Sequence, residues 1–377
     1  MNVARIAVLG AGGFLGSHLV PALAARFPCE IDAVDRDLHK LEFKHPRVRR
    51  ICAHIEDAGL IEEIGGSCEV VLSLTALCNP SLYNTVPLEV IDGNYTHLVP
   101  LVKSCAVHGA RLIHFSTSEV YGRMALDRDG RRTRTMDEDS SALFLGPVDR
   151  ERWTYACAKQ LLERLIWAHG QQSGLAFTIV RIFNVIGPRM DYLPGVDGEG
   201  VPRVLASFMN ALLRGQELPL VDGGRQRRSF MAVDDLVEAI ARIVERPESC
   251  HGQILNLGHP ENDVSIAELA RLLSETYAAR MPEAAPARVR NVRADELYGA
   301  GYDDSEERIP SIDKARQLLD WTPRQRLLEM LPGIVDDYVA RYAARVNSEL
   351  GLRSPAALGG EDEKPAPLRL DQPALPL

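Results

Sequence analysis

The stretch Gly10-Ala11-Gly12-Gly13-Phe14-Leu15-Gly16 leaves few options for the first part of the chain, because it sits between the apolar run Arg5-Ile6-Ala7-Val8-Leu9 and a segment of helical character from Ser17 to Arg26. A short apolar run that stops at glycines behaves as a buried parallel strand. Gly10, Gly13 and Gly16 then fall on a strand-to-helix turn, where missing side chains let the backbone approach a pyrophosphate at the helix N-terminus. A second strand, Ile31 to Val34, ends at Asp35, about twenty residues further on, where an acid accepts from both adenosine ribose hydroxyls and repels a 2′-phosphate. The pattern predicts a dinucleotide site on Gly10, Gly13, Phe14, Leu15, Gly16 and Asp35, with NAD preferred to NADP although Arg36 stands beside the acid.

Two further strands are expected, Val70 to Ala76, whose Leu74 joins the cofactor set, and Arg111 to Ser116. Both end on the carboxyl edge of the sheet, where ligands bind in open α/β folds. The second runs into Ser116-Thr117-Ser118-Glu119-Val120-Tyr121-Gly122, whose hydroxyls and carboxylate can bind a sugar hydroxyl and handle a proton at a neighbouring carbon. Tyr155-Ala156-Cys157-Ala158-Lys159 places a phenol and an ammonium at i and i+4 on one helical face. Lowering a phenol from a pKa of ~10 by ~3 units takes ~4 kcal/mol of preferential phenolate stabilisation. Lys159 supplies part of that, and the positive nicotinamide ring of NAD+ adds more, so the pair makes physical sense beside a dinucleotide.

At 377 residues the chain exceeds one ordinary domain. Its net charge of −9 and dispersed basic residues argue against a nucleic-acid surface; Arg131 to Arg134 reads as a solvated loop. Seven cysteines, odd in number and scattered without CxxC spacing or a Cys/His cluster, support neither a disulfide framework nor a metal site. With no basic leader and no apolar run of membrane length, a cytoplasmic protein without a membrane partner is expected. Residues 123–150 read as a surface excursion. The expected division is a dinucleotide-binding domain over residues 1–183 with return segments at about 229–258, a smaller lobe over 184–228 and 259–350, and a Pro-, Ala- and acid-rich disordered tail over 354–377. The helix around Asn94 to Val107 and the Tyr155 helix are candidates for a two-fold interface in a homodimer.

These motifs resemble the extended short-chain dehydrogenase/reductase superfamily, the NAD-dependent epimerases and dehydratases of nucleotide sugars. The segments Ser116–Gly122, Arg152–Gln160, Phe183–Arg189, Val221–Gly224 and 301–308 look like UDP-glucuronate decarboxylases and plant UDP-apiose/UDP-xylose synthases, a likeness covering residues 4 to 345. The resemblance implies an α/β fold, a Rossmann doubly wound parallel sheet with a smaller C-terminal α/β substrate-binding lobe, and oxidative decarboxylation of UDP-glucuronate to UDP-4-keto-pentose or UDP-xylose. It assigns Tyr155 to deprotonating the C4 hydroxyl with Lys159 assisting, and Thr117 and Ser118 to contacting that hydroxyl. Glu119 and Arg308 would face C5, with Arg308 the proton donor, while Asn184, Arg203 and Tyr302 would hold the UDP moiety.

Three positions depart from the pattern. Pro219 stands where the family has a lysine, His54 replaces an acid or amide near the adenine, and Ser118 replaces the cysteine of plant apiose synthases. The last favours simple decarboxylation, with apiose synthase the alternative. A 4,6-dehydratase needs an acid where Ser118 stands, a plain C4-epimerase needs no Arg308 opposite a carboxylate, and the intact Thr117, Glu119, Tyr155 and Lys159 set speaks against a silent NAD-binding regulator.

Overall fold

The protein's structure, a computed structural model, describes residues 3–298 and 304–349. Its centre is an all-parallel sheet of seven strands: β1 (Arg5–Leu9), β2 (Glu30–Asp35), β3 (Val48–Cys52), β4 (Val70–Ser73), β5 (Arg111–Thr117), β6 (Phe177–Ile182) and β7 (Gln253–Leu257), in the order β3-β2-β1-β4-β5-β6-β7. The central strands are apolar on both sides because both faces are covered: Ile6, Ala7, Val8 and Leu9 are all fully buried. One face packs on helices Phe14–Arg26 and Val233–Glu245, the other on Ala58–Ser67, Val99–His108 and Thr154–Ser173. Strand order reverses between β1 and β4, and the crevice at their carboxyl ends is where such sheets take ligands. This is the doubly wound α/β fold expected from the sequence.

The glycine turn is built as the pattern requires. Gly10 has φ +91°, a conformation that an L side chain rarely adopts, and a Cβ on Gly16 would run into the Gly10 carbonyl. The following helix begins at Phe14, three residues earlier than its apolar pattern suggests.

A second core lies beyond β6. Helices Val204–Leu213, Ile266–Arg280 and Leu327–Glu349 enclose Leu205, Phe208, Leu273, Ile334 and Tyr338. Short strands flank it: Leu218–Val221 beside Val289–Val292, and Arg227–Ser229 between Asp263–Ser265 and Glu307–Arg308. Buried Asn262 ties these pieces together, donating to the carbonyls of Phe230 and Gln325 and accepting from the Leu327 amide.

Two segments differ from the sequence reading. Residues 312–321, read with the smaller lobe, bury Ile312, Ala315, Leu319 and Trp321 in the core of the seven-stranded sheet. Their helix, Asp313–Leu319, is only seven residues long, and its apolar side chains complete the face that also receives Val233–Glu245. Residues 123–150 are largely exposed, yet Met136 is fully buried and exchanges backbone hydrogen bonds with Ile309 and Ser311, both of 2.8 Å. The excursion thereby holds the strand that carries Arg308. The 354–377 tail lies outside the described residues.

If residues 312–321 belong to the main core, Trp321→Ala, which also removes the 3.1 Å bond to the Asp235 carbonyl, should lower the global unfolding free energy by about 3–5 kcal/mol. Urea denaturation followed by circular dichroism measures it, and a loss below ~1 kcal/mol would place the segment outside the cooperative core.

Candidate active site

Strand β5 ends at Thr117, and the chain turns at once into a short 3-10 helix, Ser118–Tyr121, capped by the Thr117 hydroxyl, which accepts from the Glu119 amide at 3.1 Å. Across from this end stands the helix Thr154–Ser173 with Tyr155, Lys159 and Glu163 buried on its sheet-facing side. One cavity collects Phe14, Leu15, Thr117, Ser118, Glu119, Tyr155, Asn184, Arg203 and Arg308, residues that the sequence reading named separately. Lys159 lies behind Tyr155, and its ammonium donates to the Phe115 carbonyl at 3.1 Å. Leu74 packs against the Gly10 turn. Asn184 donates to the Ser229 carbonyl at 3.2 Å, and Arg203 is held by Asp191, which accepts from its amide at 2.9 Å and its Nε at 3.1 Å. Tyr302 lies outside the described residues.

The wall opposite Tyr155 is a buried charge cluster that sequence reasoning saw only in part. Arg152, Arg228 and Arg308 are all buried. Glu119 accepts from Arg152 with one oxygen and from Arg308 at 3.2 Å with the other. Asp304 accepts from Arg228 at 2.7 Å, from Arg308 at 3.3 Å and from Arg152 at 3.4 Å. Among the described residues, the cluster sets three guanidiniums beside two carboxylates. Burial alone would raise Glu119 and Asp304; the arginines outweigh it, holding Glu119 below the ordinary carboxyl range and Asp304 down at about 2. Both are therefore anions at neutral pH.

Sequence reasoning gave no role to Arg152, Arg228, Asp304, Cys78 or Tyr83. Two signals pointed to members of the cluster: Arg152 precedes Tyr155 by three residues, and Asp304 precedes Arg308 by four. Cys78 lines the cavity from the loop after β4. Tyr83 stacks on Tyr155 with ring centres 5.4 Å apart and planes at 14°, and Arg152 lies 5.5 Å from the centre of the Tyr83 ring.

Tyr155 and Lys159 sit in a dry setting. Burial is the largest influence on Tyr155 and pushes its phenol well up; Cys78 and Glu119 push the same way, opposed by a hydrogen bond with Thr117 and by Arg203. Burial also pushes the Lys159 ammonium down to about 8, with Cys78 and Glu163 opposing. The chain's own charges thus favour a neutral phenol, and activation calls for added positive charge.

The other end of the crevice fits a dinucleotide. Helix Phe14–Arg26 starts at Gly13 with no side-chain cap and no acid in its first turn, which leaves its amides and dipole open to a diphosphate. Asp35 closes β2 at the ribose position, and its carboxylate accepts from the Gly12 amide at 3.0 Å. A helix N-terminus at the switch point of a doubly wound sheet, with a Tyr/Lys pair at the neighbouring carboxyl edge, defines a dinucleotide-dependent enzyme of the extended short-chain dehydrogenase/reductase type.

Comparison with known proteins agrees. The chain belongs to the NAD dependent epimerase/dehydratase family, whose model matches residues 6–258, and NAD is its cofactor. It is 40% identical over 362 residues to UDP-D-apiose/UDP-D-xylose synthase 1 of Arabidopsis thaliana, covering 90% of this chain and 92% of that protein. The Oryza sativa subsp. japonica UDP-D-apiose/UDP-D-xylose synthase is 42% identical over 347 residues, 86% of this chain and 87% of that one. Among solved structures, the PbgP3 protein from Burkholderia pseudomallei superimposes with a TM-score of 0.79 at 34% identity, covering 92% of this chain and 99% of that chain. The UDP-glucuronic acid 4-epimerase from Bacillus cereus, solved with UDP-glucuronic acid and NAD, gives a TM-score of 0.73 at 22% identity over 90% of this chain and all of that one, a likeness of fold alone.

Replacing Asp35 by alanine should weaken NAD about ten- to a hundredfold, the worth of a charge-assisted hydrogen bond of ~1.5–3 kcal/mol, with a much smaller effect on NADP. Calorimetric titration of both cofactors reads this directly, and an unchanged preference would remove Asp35 from the ribose.

Proposed function

We propose that this protein decarboxylates UDP-glucuronate, oxidising C4 and releasing UDP-4-keto-pentose or, after return of the hydride, UDP-xylose. The observation that carries the reading is the buried cluster of Arg152, Arg228 and Arg308, held by Glu119 and Asp304, lining the same cavity as Tyr155. Buried guanidiniums lining a cavity favour an anion, and a uronate carboxylate differs from a hexose hydroxymethyl in that respect. The identity to UDP-apiose/UDP-xylose synthases supports the same substrate class.

The residues divide the work as follows. Bound NAD+ supplies the hydride acceptor for C4 and a positive ring beside Tyr155. The Tyr155 phenolate takes the C4 hydroxyl proton, held in place by Thr117 and Ser118, with the Lys159 ammonium stabilising the charge. A ketone at C4 makes the C5 carboxylate a β-keto acid, so breaking its carbon–carbon bond leaves the electron pair in an enolate. The Glu119–Arg308 pair serves protonation at C5. Asn184 and Arg203 line the same cavity on the side of the smaller lobe and hold the UDP portion; Pro219, also on that wall, offers no charge there.

A second reading, a synthase that also forms the branched pentose, is favoured by Cys78. Ser118 removes the thiol expected at that position, yet another thiol lines the same cavity. We propose further that the protein acts in the cytoplasm as a homodimer, pairing through the helix Val99–His108, in the stretch expected around Asn94 to Val107, and Thr154–Ser173, which leave Val107 and Leu161 exposed at 78% and 47%.

Incubation with UDP-glucuronate and NAD+, with sugar products followed by NMR and NADH by absorbance, tests the proposal. Tyr155→Phe should lower turnover at least a hundredfold with NAD binding retained. Arg308→Ala should suppress carbon dioxide release by about a hundredfold or more. Unaffected release in that variant removes Arg308 from C5, and a branched product promotes the second reading.

A further inference from the structure

Tyr155, Lys159 and Glu163 stand at i, i+4 and i+8 on one helix, stacked on the face turned to the sheet. Glu163 is 4% exposed, and nothing in the proposed chemistry uses it. Its carboxylate is gripped from two adjacent strands. Ser116 on β5 donates to Oε1 at 2.5 Å, and Arg181 on β6 donates from Nε to Oε1 at 3.1 Å and from Nη2 to Oε2 at 2.7 Å. Ser116 and Arg181 are register partners across the two strands, and Ser116 follows Phe115, whose carbonyl takes the Lys159 ammonium.

A buried ion pair contributes little net stability, because desolvating both charges offsets their attraction. Apolar side chains would fill this place as well. What an apolar pair could not supply is a fixed negative charge one helical turn behind a fully buried lysine. Of the other groups facing Lys159, Cys78 also favours the ammonium, and none is a fixed anion. His114 on β5 is neutral, pushed well down by burial and by Lys159 itself. Tyr155 is uncharged until the reaction begins, and Cys78 reaches Lys159 from the loop after β4. Arg181, on the far side of Glu163, carries the opposite sign.

We propose that Glu163 is a positioning residue that keeps Lys159 an ammonium directed at the Phe115 carbonyl, with Ser116 and Arg181 fixing the carboxylate that does so. The inference rests on the reading of Tyr155 and Lys159 as the catalytic pair. Its sign is set by charge. Removing Glu163 withdraws the anion that raises Lys159 and exposes Lys159 to Arg181, so the ammonium is lost at lower pH and support for the Tyr155 phenolate goes with it.

The test uses full-length protein, Glu163→Gln, and Glu163→Gln combined with Arg181→Gln, the last removing both buried charges so that no lone guanidinium is left to unfold the chain. NMR titration of the Lys159 side chain, which needs no substrate, should show its midpoint about one pH unit lower in both variants. The alkaline limb of turnover with UDP-glucuronate and NAD+ should move down with it, by about fivefold in rate at pH 8, with NAD affinity unchanged. A Lys159 midpoint unaltered in Glu163→Gln overturns the proposal. So does a shift that disappears in the double variant, since the uncompensated Arg181 would then be its whole cause. If the midpoint moves but the wild-type protein does not turn over UDP-glucuronate, the substrate reading fails and the role of Glu163 stands.

Discussion

Five consecutive residues at the end of β5 each hold a different part of the site, and that convergence constrains everything around it. The Phe115 carbonyl takes the Lys159 ammonium, the Ser116 hydroxyl holds Glu163, and Thr117 both bonds Tyr155 and caps the turn. Ser118 lines the cavity, and Glu119 anchors Arg152 and Arg308. A strand alone could not do this, because alternate side chains leave a sheet on opposite faces. The turn into a 3-10 helix at Ser118 swings Ser118 and Glu119 toward the cavity. β5 lies between β4 and β6 with both faces covered, so these five residues rest on a fully buried strand.

The charge cluster makes the smaller lobe part of the site. Its members come from four segments far apart in sequence: the turn after β5, the start of the Tyr155 helix, the strand Arg227–Ser229 and the residues around Arg308. Burying three guanidiniums beside two carboxylates costs several kcal/mol per ion before their mutual attraction is counted. The segments must therefore meet closely, and the Met136 strap, the Asn262 clamp and the sheet formed by Arg227–Ser229 with Glu307–Arg308 hold them there.

The parts of this arrangement that obey local rules were legible in the sequence. The glycine turn, Asp35 at a strand end and Tyr155 with Lys159 on one helical face follow from backbone sterics and helical spacing, and each stands in the structure where those rules put it. Arg228 could not be found that way. It adjoins Arg227 in sequence, yet Arg227 pairs outward with Asp263 while Arg228 turns in to Asp304, a choice made by which strand lies alongside. Residues 312–321 were misassigned for a related reason. A seven-residue helix carries too little periodicity to announce which of two cores it will join.

On the proposed reading, the cluster also separates substrate from product. A uronate carboxylate meets the guanidiniums of the wall as an anion, so it is held most tightly before its carbon–carbon bond breaks. Tight ground-state binding of the leaving group would retard that step if the carboxylate had to leave unaided. The C4 ketone changes the balance, because charge moves from the carboxylate into an enolate that faces Tyr155 and the Thr117 and Ser118 hydroxyls. Once carbon dioxide has gone, the pentose has nothing to offer the arginines, and Glu119 and Asp304 are left to satisfy them as they do in this structure. The two carboxylates thus keep the wall intact when no anion is bound, while the guanidiniums make the wall prefer a uronate to its decarboxylated product.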